Sequence, residues 1–448
     1  SDSDSPKRAT SAVPSGRFSR FIQLGTTAGR MALGGATEKI GRLARRAGEE
    51  LPHALLTVDN ARLLAERLAR LRGAAMKVGQ MLSLEGDNML PPEFAKALEV
   101  LRSSAHRMPE SQVLEVLDRE YGRDWKNRFA SFDLEPLAAA SIGQVHPAIG
   151  LEGRKLALKI QYPGVAESID SDVDNLRSLL SLTRLVPSGI DLDDITAEVK
   201  AELRREVDYA RELTQLTAYR GAVLAHLPES RPGIRIPEGI PELSTPRILA
   251  LELVPGIPLL DWAKTASQEK RDAVGRLLFE LLLKELFVFH LVQTDPNPGN
   301  YFYDGDTDQL VLLDFGATRE VSDETSAVYR KTFRGLALAD RDLLREALAD
   351  LGVDARQSPH AADLLVDLAL EAAESVDGRV FDFRASNLSE RLNTRGRELE
   401  KYRKELSPPP PRYLFFQRKL GGTFLLLRQL GVRMNCREVL IEAGIIDS

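Results

Sequence analysis

The sequence predicts a predominantly helical α+β protein with two lobes and a helical extension in front of them. Three observations predict it. Apolar residues recur at helical spacing through most of the chain, most clearly over residues 61–84 and 268–289. A short apolar segment, residues 156–160, interrupts the helical pattern and carries Lys159 inside it, as a half-buried strand would. A Pro-Gly junction at residues 254–258 then separates the strand-bearing part from a second helical part. At 448 residues the chain exceeds what one hydrophobic core usually serves.

Each element follows in order. Residues 1–22 are polar and basic and read as a disordered tail. Residues 23–135 form the helical extension, with helices at 61–84, 92–102 and 109–121 separated by prolines. Residues 136–254 form the strand-rich lobe, with the strand at 156–160, helices at 166–185 and 193–222, and a strand at 247–254. Residues 255–448 form the helical lobe, with a strand at 310–313 and a proline run at 408–411 that reads as a rigid connector. Two lobes on a short linker enclose a ligand cleft.

Composition bounds the function. The net charge of −6 gives no reason to expect nucleic-acid binding. Charge is uneven, however: Lys7, Arg8, Arg17, Arg20, Arg30, Lys39, Arg42, Arg45 and Arg46 face one acid, Glu38. A second acid-free stretch, residues 412–437, carries six basic residues. With Phe18, Phe21, Phe415 and Phe416 interleaved, both stretches suit an anionic membrane surface as well as a solvated tail or helix face. No run approaches the ~18 apolar residues of a membrane span, so association would be peripheral or through a segment outside this sequence. The Arg-rich, acid-poor amino terminus is also compatible with an organelle transit region, and the absence of an initial Met with upstream processing. One cysteine, Cys436, excludes internal disulfides and points to a reducing compartment, cytoplasmic or like the mitochondrial matrix.

The chemistry concentrates in Gln293-Thr294-Asp295-Pro296-Asn297-Pro298-Gly299-Asn300, followed by Asp314-Phe315-Gly316. Phosphoryl transfer needs metal ions that neutralise phosphate charge and a group that orients the nucleophile. Hard cations take carboxylate and amide oxygens. An Asp and an Asn five positions apart in a loop, then an Asp after a short strand, is the protein-kinase arrangement. Asp and Asn also cap turns, but here order, spacing and lobe position agree. A magnesium nucleotide, ATP or ADP with Mg2+, is the expected ligand.

Lys159 stands where a kinase places the Lys that holds the α- and β-phosphates, and its partner should be an acid on the following helix. Glu206, Asp208 and Glu212 all fit. Six residues turn an α-helix by about 240°, so Glu206 and Glu212 cannot share one face. Where a kinase has a Gly-rich loop, this chain has Ala138-Ala139-Ala140-Ser141-Ile142-Gly143-Gln144-Val145-His146, with a single Gly. His146 reads as a backbone-bonded strand residue, His290 as a satisfied core histidine, and Cys436 as inert.

Residues 138–146, the Lys77-Val78-Gly79-Gln80 segment and residues 293–300 together resemble the UbiB family, atypical protein-kinase-like proteins linked to ubiquinone biosynthesis. The resemblance covers roughly residues 25–440. It implies a bilobal protein-kinase-like fold whose helical extension covers the cleft through Lys77 and Gln80. It further implies that Glu206 and Asp208 meet Lys77, that Glu212 pairs with Lys159, and that Ala138, Ala139, Ala140, Ser141, Gly143 and Gln144 form a retuned nucleotide loop. Asn300 and Asp314 would hold the metal, Asp295 would be the catalytic-loop acid, and Glu252 and Val254 would contact adenine.

Gln293-Thr294 replaces the usual His-Arg, and no clear Ala-Pro-Glu follows Asp314, so ordinary protein phosphorylation is not the expectation. The leading expectation is an ATPase or phosphotransferase serving quinone metabolism, with a quinone-precursor lipid, an anionic membrane and quinone-biosynthesis proteins as partners. A homodimer is compatible with the sequence. The alternatives are a nucleotide-switched lipid-binding or chaperone-like pseudokinase and an autoinhibited protein kinase.

Overall fold

The computed structural model describes residues 74–75, 107–183, 192–227, 232–295, 297–353, 358–402 and 411–447. Lys77, Gly79 and Gln80, the basic stretch at 7–46 and most of the 408–411 proline run lie outside the described residues. The chain divides into two compact units, residues 1–213 with 239–253, and residues 214–238 with 254–448.

In the first unit, helix α1 (Glu110–Tyr121) leads into the antiparallel strands β1 (Phe129–Phe132), β2 (Ala138–Ala139), β3 (Gly143–Gly150) and β4 (Lys155–Gln161). Helices α2 (Val165–Thr183), α3 (Leu192–Glu206) and α4 (Tyr209–His226) follow, the last crossing the division between units at residue 213. Strand β5 (Gly233–Arg235) belongs to the second unit, and β6 (Ile248–Glu252) closes the first unit's sheet in the order β1-β3-β4-β6, with β2 on β3. Alternation along β4 fixes its two faces. Leu156, Leu158 and Ile160 pack with Val113, Val116 and Leu117 of α1 and with Ile248 and Ala250 of β6. Lys159 points from the opposite face.

The helix expected over 193–222 is two helices. It breaks at Val207 and Asp208, and Asp208 Oδ1 accepts the backbone N–H of Arg211 at 3.0 Å, capping the new start. The break removes the premise of the turn-angle argument, since Glu206 and Glu212 do not lie on one continuous helix.

The second unit is built from β7 (Ile257–Pro258), α5 (Leu259–Ala263), α6 (Gln268–Lys284), β8 (Leu291–Gln293), β9 (Tyr301–Asp304), β10 (Gln309–Leu312) and β11 (Thr318–Glu320). Helices α7 (Asp323–Leu338), α8 (Arg341–Asp350) and α9 (Pro359–Ala372), strand β12 (Phe381–Asp382), helices α10 (Leu388–Glu400) and α11 (Pro411–Leu430), strand β13 (Arg433–Met434) and helix α12 (Cys436–Glu442) complete it. It holds more strand than expected: a four-stranded sheet in the order β5-β10-β9-β7, with β5 parallel to β10, and two short antiparallel pairs, β8–β11 and β12–β13. Apart from β10, expected at 310–313, these strands of two to four residues are too short to register as alternation in sequence.

Helix α6 starts on Ser267, whose side chain accepts the N–H of Lys270. It continues as a widened π-turn over Glu285–Phe289 and ends at His290, in the left-handed conformation at φ 52°. His290 is therefore a helix terminus and not the core histidine expected. Its side chain is 37% exposed, 3.5 Å from the Asp323 carboxylate. Cys436 is buried, and burial pushes its thiol up to about 12, as an inert role requires.

The basic stretch 412–437 is mixed where it is described, with Arg428 and Arg433 exposed and other charges turned inward. Lys419 is buried on Glu285, Arg433 pairs with Asp382, and Arg437 donates to the Ala337 carbonyl. Among the described residues no helix is long and apolar enough to cross a membrane.

Candidate functional site

In the first unit the site is built on β4. Antiparallel register places Lys159 between Val145 of β3 and Leu249 of β6. Its ammonium donates to both carboxylate oxygens of Glu212, each at 3.1 Å, and lies 5.3 Å from the centre of the Tyr209 ring. The Glu212 side chain is 2% exposed and that of Lys159 16%, so the pair is shielded while the ammonium keeps an opening to solvent. Of the three acids left open by sequence, Glu212 is bonded to Lys159.

Glu206 takes a different partner. Its Oε2 accepts the Ser141 hydroxyl at 3.1 Å, bringing a carboxylate against the Ala-rich loop. Asp208 caps α4 and is exposed. Sequence reasoning missed the residue that holds this region: Gln161, 1% exposed at the end of β4, donates its amide to the Val207 carbonyl at 2.7 Å and so grips the α3–α4 break. A buried amide closing a strand is the signal that could have found it, because a buried polar group needs a partner.

The Ala-rich loop is a tight turn between β2 and β3, with Ala138 opposite Val145 and Ala139 opposite Gln144. Ala140 donates its N–H to the Gly143 carbonyl at 2.8 Å. Gly143 is required by close approach: a Cβ there would lie 2.2 Å from the Ile160 carbonyl oxygen. Gln144 turns into the sheet, 1% exposed, accepting the Met108 N–H at 3.0 Å and lying 2.9 Å from His146 Nε2. His146 Nδ1 lies 3.0 Å from the Asp133 carbonyl, and burial holds its pKa below 6.5. The network assigns the proton of the neutral imidazole to Nδ1, since Gln144 presents its NH2 to Nε2. Glu252 ends β6, with Arg154 4.0 Å from its carboxylate, and Val254 begins the second unit.

In the second unit β8 and β11 pair Gln293 with Thr318, which brings the loop after β8 beside the Asp314 turn. Gln293 donates its side-chain amide to the Asp314 carbonyl at 3.2 Å, and the Thr294 hydroxyl donates to Ala317 O at 2.7 Å. Leu313 N–H reaches the Asn300 carbonyl at 3.1 Å. Asp314 Oδ1 accepts Gly316 N–H at 3.0 Å, closing its own turn. Asn300 donates its Nδ2 to Asp295 Oδ2 at 2.9 Å. With its amide nitrogen donated to Asp295, Asn300 retains its amide oxygen, the kind of atom a hard cation takes. Two carboxylates and an amide oxygen on adjoining loops are an oxygen-only donor set that suits Mg2+. Phe315 is fully buried, its ring centre 4.9 Å from that of Tyr219.

Behind this loop stands a buried charge pair that sequence reasoning also missed. Glu285, 0% exposed, lies 3.1 Å from the ammonium of Lys419, 4% exposed. Burial works to lower the Lys419 pKa, but Glu285 and then Tyr301 outweigh it and hold it raised. The charged doublets Lys284-Glu285 and Arg418-Lys419, set into largely apolar helical runs, were the available signal.

These features define a protein-kinase-like protein, and the comparisons with known proteins name its family. Residues 100–348 match the ABC1 atypical kinase-like domain. The chain is 34% identical over 437 residues to the atypical kinase COQ8, mitochondrial, of Saccharomyces cerevisiae, covering 97% of this chain and 86% of that protein. It is 36% identical to the atypical kinase COQ8B, mitochondrial, of Rattus norvegicus, covering 95% of this chain and 80% of that one. The structure of the Rv3197–erythromycin complex from Mycobacterium tuberculosis matches with a TM-score of 0.59 at 26% identity, over 86% of this chain and 96% of that chain. The chain belongs to the ABC1 atypical kinase-like family, the UbiB and COQ8 group that its motifs resemble.

Proposed function

We propose that this chain is an ATP-using enzyme of the atypical kinase type, an ATPase or phosphotransferase, that supports isoprenoid-quinone metabolism at a membrane. The observation that carries this reading is the second unit's donor set, with Asn300 fixed by Asp295 and Asp314 held in its own turn. Mg2+ bound there supplies neutralisation of phosphate charge. Asn300 and Asp314 are the residues that would hold it. Asp295 keeps its carboxylate ordered through Asn300 and Asn297, as a group that orients a nucleophile must. In the first unit, Lys159 offers its ammonium to the α- and β-phosphates while Glu212 fixes its direction. Lys77 and Gln80 are assigned to covering the nucleotide, Glu206 and Asp208 to regulating that cover, and Glu252 and Val254 to adenine.

The quinone assignment rests on the family and on relatives named as mitochondrial COQ8 kinases. Membrane contact is assigned to the basic stretches at 7–46 and 412–437, the second of which exposes Arg428 and Arg433. The test is Asp314→Asn in cells that depend on this chain. Loss of nucleotide turnover together with loss of quinone synthesis supports the enzyme reading; loss of turnover with quinone synthesis intact overturns it.

One observation favours a second reading, a nucleotide-switched lipid-binding protein. Glu206 sets a negative charge against the loop expected to meet phosphates. Under this reading Asp295→Asn abolishes turnover yet leaves nucleotide-dependent vesicle binding and quinone synthesis in place.

A further inference from the structure

The Glu285–Lys419 pair is an expensive feature to keep for stability alone. Each ion loses much of its hydration on burial, and apolar replacements of such pairs are often neutral or stabilising. Its partners show where it acts. Glu285 Oε1 accepts the Tyr219 hydroxyl at 2.7 Å and the backbone N–H of Gln293 at 3.0 Å, while Lys419 stands 3.1 Å from Oε2. Gln293 is the last residue of β8, where the loop bearing Asp295 begins. The Lys419 ammonium also interacts electrostatically with the Tyr301 hydroxyl, and Tyr301 is the first residue of β9, immediately after Asn300. One buried ion pair therefore holds both ends of the loop that carries Asp295 and Asn300. It does so from two sources distant in sequence, the π-turn after α6 and the middle of α11.

The widened turn is part of the device. Glu285 is its first residue, and the turn leaves Glu285, Leu286 and Phe287 all buried. Widened turns of this kind concentrate at functional sites. Hydrogen bonds to charged groups are the strong class, and in a dry interior they gain further.

We propose that Glu285, Lys419, Tyr219 and Tyr301 form a positioning tether that sets the loop between β8 and β9 for metal binding. These are positioning residues, acting through the backbone N–H of Gln293 and the side chain of Tyr301. The functional half of the proposal rests on the magnesium-nucleotide reading above; the structural half does not.

The test uses the full chain and the variants Lys419→Met, Glu285→Gln/Lys419→Met and Tyr301→Phe, with two readouts. Amide hydrogen exchange of the nucleotide-free protein reports the loop directly: Lys419→Met should speed exchange over 294–301 by about tenfold or more while β3 and β4 stay unchanged. Equilibrium binding of a fluorescent ADP analogue with Mg2+ titrated reports function. The Mg2+ half-saturation should rise about tenfold, in the range seen when groups behind metal ligands are lost, while affinity for the metal-free nucleotide holds within about threefold. A merely structural pair would lower the melting temperature and leave the magnesium requirement in place. If Lys419→Met does not fold, Tyr301→Phe decides, because it removes only a hydroxyl and should shift both readouts in the same direction. Folded variants with unchanged loop exchange and unchanged magnesium requirement overturn the proposal. Faster loop exchange in a protein whose wild type shows no Mg2+-dependent nucleotide binding supports the tether and overturns the nucleotide reading instead.

Discussion

Lys159 reaches both carboxylate oxygens of Glu212 at 3.1 Å from a strand whose other face is the apolar core of the first unit. The core fixes the strand, the strand fixes the lysine, and the helix start capped by Asp208 fixes the acid. Breaking the pair from one side leaves a shielded charge without its counter-ion. Glu212→Gln should therefore cost about 3 kcal/mol of stability, at the low end for buried pairs because Lys159 keeps some solvent. Urea unfolding measures it, and nucleotide affinity should fall in the same variant.

Ser141 and Glu206 give a prediction of opposite sign. The carboxylate stands against the loop that is to meet phosphates, so neutralising it removes a repulsion. Glu206→Gln keeps an oxygen for the Ser141 hydroxyl and should tighten nucleotide binding by up to about tenfold at low salt, less as ionic strength rises. Calorimetric titration at two salt concentrations checks both the sign and the screening.

Gly143→Ala tests the loop's geometry. The added methyl would lie 2.2 Å from a backbone carbonyl oxygen, and backbone cannot swing aside as a side chain can. Overpacking of this kind costs about 1–3 kcal/mol, so thermal unfolding of the first unit should move down by several degrees.

His146 predicts a pH dependence. Burial holds its folded pKa below the unfolded 6.5, so the folded state binds fewer protons than the unfolded state as pH falls below 6.5. The sign follows: this contribution is fully present above 6.5 and is lost as pH falls from there through the depressed folded value. Protonation would also set Nε2–H against the Gln144 amide, whose oxygen is committed to Met108. Stability measured from pH 7.5 downward should fall, and His146→Gln should flatten that slope.

What sequence carried and what it did not divides along a physical line. Lys159 was legible because a charge inside a short apolar run must lie on a strand's open face. Asp295, Asn300 and Asp314 were legible because their spacing is local and metal chemistry restricts the residue types. The break at Val207 was not, since helical periodicity runs through it and only the cap of Asp208 marks it. Glu285 and Lys419, 134 positions apart, could each be seen as an oddly placed charge, but no local pattern pairs them. Apart from β10, expected at 310–313, the strands of the second unit were lost for a simpler reason, being two to four residues long.

Magnesium-dependent nucleotide binding is the most direct test of the central claim. A fluorescent ATP analogue titrated against the wild-type chain and Asp314→Asn, with and without Mg2+, separates the lysine's contribution from the metal's. Asn at 314 preserves an oxygen for the Gly316 N–H, so the fold should hold. Mg2+ should strengthen binding to the wild type, and Asp314→Asn should bind the metal-free nucleotide equally well but lose the magnesium effect. Wild-type binding indifferent to Mg2+, or a magnesium effect that survives in Asp314→Asn, would overturn the magnesium-nucleotide reading.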